Sequence, residues 1–333
     1  MDAIAPMEAK LVDALPDEAG WQFEPKWDGF RCIALRDGGP VELISKSGKP
    51  LARYFPEVAA MLEALAPTRF ILDGELIIPA GNCLSFEALQ LRLHPAESRI
   101  RKLAKETPAQ FMLFDLLALD DEMFAAEPLS DRRRALERFH ARHGSPALLL
   151  SLATIERARA DDWLARTGGA LDGVVAKRLD EPYRPGERAM LKVKQLRTAE
   201  CVVGGFRYAS GKKEVGSLLL GLFGDDGKLH HVGFCPPPGD KAELTAKLEA
   251  MIGPPGFTGD APGGPSRWST ERSGEWQPLR WDLIAEVKYD QVTGHRFRHA
   301  TRFLRWRPDK APEQCRIEQQ MGELRPAEMA GLL

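Results

Sequence analysis

No apolar run in this 333-residue chain reaches the roughly eighteen residues that a membrane-spanning helix requires. Cysteine is scarce. Cys32, Cys83, Cys201, Cys235 and Cys315 stand far apart and form no C-x-x-C pair. That spacing suggests neither a zinc site nor a disulfide framework, and the expected compartment is the cytoplasm. No secretory leader is read in Met1 to Lys10, which is mixed and acidic. An excess of either charge is also missing, because the formal net charge is −2. Composition alone therefore points to no polyanion.

The distribution of charge says more. Residues 177–213 carry ten Lys/Arg against four Asp/Glu, and residues 291–310 carry six against one. Two basic blocks in the second half suit a polyanion, although a solvated charged face is the cheaper explanation. The length allows two domains with cores of their own.

One stretch organises the rest: Glu24-Pro25-Lys26-Trp27-Asp28-Gly29-Phe30-Arg31. Asp-Gly between apolar runs reads as a hairpin turn, with Lys26 at its base. A lysine amine of ordinary pKa ~10.4 is only about 0.04% neutral at pH 7, and only the neutral amine is a nucleophile. Lowering that pKa to ~8 takes about 3 kcal/mol of destabilisation of the ammonium, by burial or neighbouring cations. A phosphate electrophile would need further cations, and a nucleotide would need a base pocket and a metal-binding carboxylate.

The chain supplies candidates for each. Residues 1–20 read as an irregular entry segment, followed by strands at 21–23, 30–35 and 41–44 and a helix over 57–65. Phe70 to Ile78 reads as two strand arms interrupted by Asp73-Gly74-Glu75. A turn explains Asp73 and Gly74 but not Glu75, a carboxylate that is costly in an apolar strand unless paired or metal-bound. A helix is expected over 85–105, and Phe111 to Leu117 fits a fully buried strand. Helices are expected over 129–143, with Ser130 as N-cap, and over 156–167, stopped by Gly168-Gly169. Asp172 to Lys177 is a strand with a carboxylate at its start and a lysine at its end. In Leu191-Lys192-Val193-Lys194 the two lysines share one strand face, so either an anion lies between them or water screens both.

From about Thr198, short strands recur between Gly/Asp turns (201–206, 217–223, 230–234), the pattern of a small antiparallel barrel. A helix over 240–251 with an Asp240 cap, a long Pro/Gly/Ser loop over 253–278 and strands over 281–289 and 294–298 follow. Arg302 to Lys310 then alternates basic and apolar residues.

Together these motifs resemble the ATP-dependent DNA ligases of the covalent nucleotidyltransferase superfamily, in particular the small two-domain bacterial LigC type and the ligase module of LigD. The resemblance spans nearly the whole chain and carries six motifs in order: Lys26 to Arg31, Leu72 to Glu75, Phe111 to Leu116, Asp172 to Lys177, Leu191 to Lys194 and Arg302 to Lys310. It implies an α+β fold. An adenylation (nucleotidyltransferase) domain with ATP-grasp-like antiparallel sheets and helices would cover residues 1–197, and an all-β OB-fold barrel 198–333. The cleft between them would hold ATP and then nicked DNA. Lys26 would attack the α-phosphate of ATP and become a lysyl-AMP. Glu24 would contact adenine through its backbone, Phe114 would stack on it, and Arg53 and Glu75 would hold the ribose. Arg31 would meet the phosphate end, and Lys177, Lys192 and Lys194 the α-phosphate. Glu75 and Asp172 would bind magnesium, or manganese in its place. Arg302, Arg305, Asp309 and Lys310 would orient the pyrophosphate.

The family usually has glutamate where this chain has Asp172, one methylene shorter, so a metal there would sit nearer the backbone or be bridged by water. An N-terminal DNA-encircling domain is not expected, because Lys26 lies so near the chain start. DNA binding should then be weak and strongly salt-sensitive. The implied partners are ATP, nicked or broken duplex DNA and a Ku-type or repair-complex protein. The implied state is a nucleoid-associated monomer. The rival readings are an RNA ligase or GTP-using capping enzyme of the same superfamily, and a non-catalytic OB-fold nucleic-acid binder.

Overall fold

The fold is that of a computed structural model, which describes residues 1, 4–80, 83–165, 171–194, 197–263, 275–290, 292–293, 295–298 and 301–320. These fall into two compact units, within Met1–Gln195 and Leu196–Gly322.

The first unit is built on two sheets. One has four strands in the order Ala9–Leu11, Met190–Val193, Leu171–Arg178, Trp21–Trp27. The other runs Leu148–Leu150, Gln110–Leu119, Arg69–Ile77, Phe30–Asp37, Glu42–Ser45. Pairing is antiparallel except at one edge of each sheet, where Ala9–Leu11 and Leu148–Leu150 join in parallel. The entry segment is thus not irregular throughout, for Ala9–Leu11 is an edge strand. Apolar runs rich in leucine and phenylalanine form the strands of the second sheet, and helix Leu129–His143 covers it with Leu136 and Phe139.

Four further expectations need correction. Asp28-Gly29 is not a hairpin turn. The chain there passes from the four-stranded sheet to the other one. Gly29 is required by close approach: a Cβ would sit 2.2 Å from the Leu76 carbonyl oxygen. Asp73-Gly74-Glu75 does not interrupt anything, because Arg69–Ile77 is one strand. The helix expected over 85–105 is two, Phe86–Arg92 and Glu97–Glu106. Pro95 between them lacks the N–H that a continuous helix would use. Pro128, not Ser130, holds the N-cap position of Leu129–His143, and no side chain caps that end. Arg157–Ala165 is helical, but Gly168-Gly169 lie outside the described residues.

The second unit is a six-stranded antiparallel sheet ordered Leu229–Cys235, Val215–Phe223, Arg197–Tyr208, Ile284–Tyr289, Arg302–Trp306, with Gln277–Pro278 beside Arg197–Tyr208. The strand path does not close on itself among the described residues. Its core includes Val203, Phe206, Leu220, Leu222 and Val287, and helix Lys241–Glu249 adds Leu244 and Leu248. Asp240 caps that helix by accepting the Glu243 N–H, as expected. Residues 264–274 of the expected loop lie outside the described set. The strand expected over 294–298 shortens to Arg296–Phe297, paired with Val292–Thr293. No helix among the described residues is long and apolar enough to cross a membrane.

Candidate functional site

A cavity of about 1110 Å³ opens in the first unit, with both sheets contributing lining residues. Strand register explains how its cations meet. Side chains at alternate positions share a face, and residues paired across strands share it too. Glu24 pairs with Val175, Gln22 with Lys177, and Val175 with Lys192. Gln22, Glu24, Lys26, Lys177 and Lys192 therefore lie on one face of the four-stranded sheet. All but Gln22 line the cavity.

Two β-bulges aim further groups. Leu171 pairs with Trp27 and Val174 with Pro25, so Asp172 and Gly173 together oppose Lys26. In the other sheet Asp73 pairs with Asp115 and Gly74 with Leu113, which leaves Phe114 as the extra residue. An extra residue bends a strand and re-aims its side chain, and bulges concentrate beside functional sites for that reason.

The ion pairs are specific. Lys26 Nζ lies 2.5 Å from Asp172 Oδ2, and Lys194 Nζ lies 3.0 Å from the same oxygen. Lys177 Nζ donates to Glu24 Oε2 at 2.8 Å, and the Gln22 amide donates to Glu24 Oε1 at 2.7 Å. Burial first, and then the charges of Lys26 and Lys194, hold the Lys192 ammonium below the ordinary lysine range. Arg31 grips Asp73 with two bonds of 2.6 Å and lays its guanidinium 4.4 Å from the Phe114 ring centroid.

Glu75 lines the cavity and accepts the Gly29 N–H at 3.2 Å. Burial pushes its carboxyl up to about 7, against the pull of the Lys26 and Arg31 charges. The folded state therefore holds a proton that the unfolded chain releases near its ordinary value of 4.5. Stability from this group is full below 4.5 and falls as pH rises through 7. Glu75→Gln should flatten thermal midpoints between pH 5.5 and 8 and stabilise the protein at pH 8 by about 2 kcal/mol. Melting curves at pH 6, 7 and 8 check this. A pH slope identical to wild type would count against it.

The remaining expected residues make other contacts. Arg53 does not line the cavity; its guanidinium bonds the Pro95 carbonyl and lies 5.7 Å from the Tyr54 ring. The basic motif near the end of the chain pairs within its own unit. Arg305 bonds Glu286 at 2.6 Å, Lys310 lies 3.0 Å from Glu200, and Arg307 holds Asp309 with bonds of 2.9 and 2.7 Å. Those bonds keep the Asp309 carboxyl at about 2. Arg302 is exposed and pairs in register with Lys288. Arg307, which also bonds Glu200, was not expected as the hub.

Sequence reasoning also missed the buried polar framework behind the cavity. Asp73 accepts the Tyr183 hydroxyl at 2.6 Å, and Asp115 takes two bonds from Arg132 at 2.9 and 3.0 Å. The signal was present: a carboxylate within an apolar strand must be paired.

A two-sheet α+β unit with a lysine-rich cavity, followed by a unit built on one six-stranded antiparallel sheet, has the architecture of a nucleotidyltransferase domain with a C-terminal OB-fold domain. A profile described as the ATP dependent DNA ligase domain matches residues 6–194, and one described as the ATP dependent DNA ligase C terminal region matches 211–310. The chain belongs to the ATP-dependent DNA ligases. It is 45% identical over 334 residues to DNA ligase C2 of Mycolicibacterium smegmatis, covering 95% of this chain and 94% of that one. It is 31% identical over 318 residues to the multifunctional non-homologous end joining DNA repair protein LigD of Mycobacterium tuberculosis, covering 94% of this chain but 40% of LigD. A solved Lig E DNA ligase shares the fold, with a TM-score of 0.56 and 19% identity over 92% of this chain and all of that one.

Proposed function

We propose that this chain seals breaks in duplex DNA in repair or end joining, with Lys26 as the nucleophile. The Lys26 amine attacks the α-phosphorus of ATP, the bond to the β-phosphate oxygen breaks, pyrophosphate leaves and the amine loses a proton. The DNA 5′-phosphate then attacks the same phosphorus and displaces the lysine amine. The 3′-hydroxyl finally attacks the DNA phosphorus, and AMP leaves.

The observation that carries this reading is the cluster itself. Lys26 shares one carboxylate oxygen with Lys194, and Lys177 and Lys192 lie on the same face of the sheet. Cations so placed can hold an α-phosphate and stabilise charge as pyrophosphate departs. Arg31 on Phe114 would meet the phosphate end; Lys177 Nζ also lies 4.9 Å from that ring centroid, so adenine would have to displace one of the two cations to stack on it. Glu24 would contact the base by its backbone, since its carboxylate is taken by Lys177 and Gln22. Glu75 would hold the ribose. Arg53 would have to leave Pro95 to assist it.

Asp172 and Glu75 are the carboxylates that would hold magnesium. The described residues contain no cluster of three His, Cys, Asp or Glu placed to hold a metal ion. Such a thin donor set fits an ion that keeps most of its waters and is held by one or two carboxylates together with substrate phosphates. Bound there, magnesium would neutralise phosphate charge. Arg302, Arg305, Asp309 and Lys310 would orient pyrophosphate, the last three after exchanging their ion pairs with Glu286, Arg307 and Glu200.

The test is incubation with α-labelled ATP and magnesium. Label should join the protein through an acid-labile bond at Lys26, GTP should not replace ATP, and nicked DNA should chase the label. A protein that takes no label while folded is not a ligase.

A further inference from the structure

We propose that Tyr183 is a positioning residue of the nucleotide cavity. Its hydroxyl fixes Asp73, and through it Arg31, while seating residues 6–9 as a wall of the cavity. The inference rests on the nucleotide reading of that cavity.

Tyr183 lies far from Lys26 in sequence and is almost fully buried. Its hydroxyl donates to Asp73 Oδ2 at 2.6 Å and accepts the Met7 N–H at 2.8 Å. Asp73 is wholly buried and spends its two oxygens on Arg31 and this hydroxyl. A carboxylate held from two sides presents its partner guanidinium in one orientation. Here that orientation places Arg31 over Phe114. Arg31 also reaches the Met7 carbonyl at 3.4 Å, so the phenol, the carboxylate, the guanidinium and the Met7 peptide close a ring of hydrogen bonds.

The same phenol therefore does a second task. Pro6, Met7, Glu8 and Ala9 line the cavity. The Glu8 N–H bonds the Glu187 carbonyl, and Glu8 accepts the Met190 N–H. Within that wall, Met7 is held by Tyr183 and Arg31. The ring of Tyr183 in turn backs on Arg132 at 5.7 Å. Removing the hydroxyl takes one of the two bonds from Asp73 Oδ2, which keeps Arg31, and leaves the Met7 N–H without this acceptor, while the ring stays in place.

The test uses the full chain and follows label transfer from α-labelled ATP. Tyr183→Phe should raise the KM for ATP by about fivefold to tenfold, with a smaller change in maximal labelling rate. A double-mutant cycle separates positioning from simple destabilisation. In an Arg31→Ala background, Tyr183→Phe should have at most about a twofold effect, although the melting temperature falls as before. Equal losses in both backgrounds, or a lower melting temperature with unchanged KM, would overturn the proposal. If Tyr183→Phe does not fold, Asp73→Asn enters the same cycle with the same criterion. Wild-type labelling is the control: its absence would refute the ligase reading, whereas its presence beside an unaffected variant refutes only the role of Tyr183.

Discussion

Lys26→Ala should abolish both labelling by ATP and ATP-driven sealing, by at least about a thousandfold, while the protein stays folded. The fold should survive because Asp172 keeps Lys194 at 3.0 Å when Lys26 is gone, so no buried carboxylate is stranded. Lys26 is also one-quarter exposed, and its loss opens no cavity in a core. The thermal midpoint should then move by no more than about 1 kcal/mol equivalent. A sharper expectation follows from the order of bonds. The nucleophile forms and breaks one phosphorus–nitrogen bond, both before the final step. DNA supplied with AMP already on its 5′-phosphate should still be sealed by the variant. Equal failure on that substrate would mean that Lys26 works as a phosphate-binding cation and not as the attacking group.

The sequence showed the components more clearly than their connections. Lys26, Lys177, Lys192 and Phe114 were legible because each sits in a short motif whose strand character is strong, and the strand period put lysines on common faces. What it could not show was which strands pair. The Asp-Gly after Lys26 has the local chemistry of a hairpin, and only the packing of Gly29 against the Leu76 carbonyl reveals a crossing between sheets. Asp73 was assigned to a turn for the same reason. Its true role depends on Arg31 and on Tyr183, 110 residues away, and no local pattern reports such a partner. The pairing of Arg307 with Glu200 is equally non-local. Bulges are invisible in a hydrophobic pattern, yet one here aims Phe114 and another sets Asp172 opposite Lys26.

That second bulge supports a further large expected effect. Gly173 has φ of +137° and stands where a Cβ would lie 2.0 Å from the Val193 carbonyl oxygen and 3.1 Å from the Lys194 Cα. An alanine would meet both a disfavoured backbone conformation and a backbone clash that no side-chain rotation relieves. Strain of this kind alone costs about 1–3 kcal/mol. With the clash added, Gly173→Ala should destabilise the protein by about 3 kcal/mol or more. Gly38 provides the comparison, because its φ is +75° but nothing lies within 4 Å of a Cβ placed there. Gly38→Ala should cost about 1 kcal/mol and leave labelling by ATP unchanged. Relief of the clash at Gly173 must move one strand away from the other, and Asp172 lies on the first while Lys194 directly follows the second. A displacement of about 1 Å between reacting groups can cost about a hundredfold in rate. Labelling by folded Gly173→Ala should fall by that order, measured at a temperature where both variants are native. Equal labelling by the two alanine variants would show that the bulge shapes the strand without placing Asp172 against Lys26.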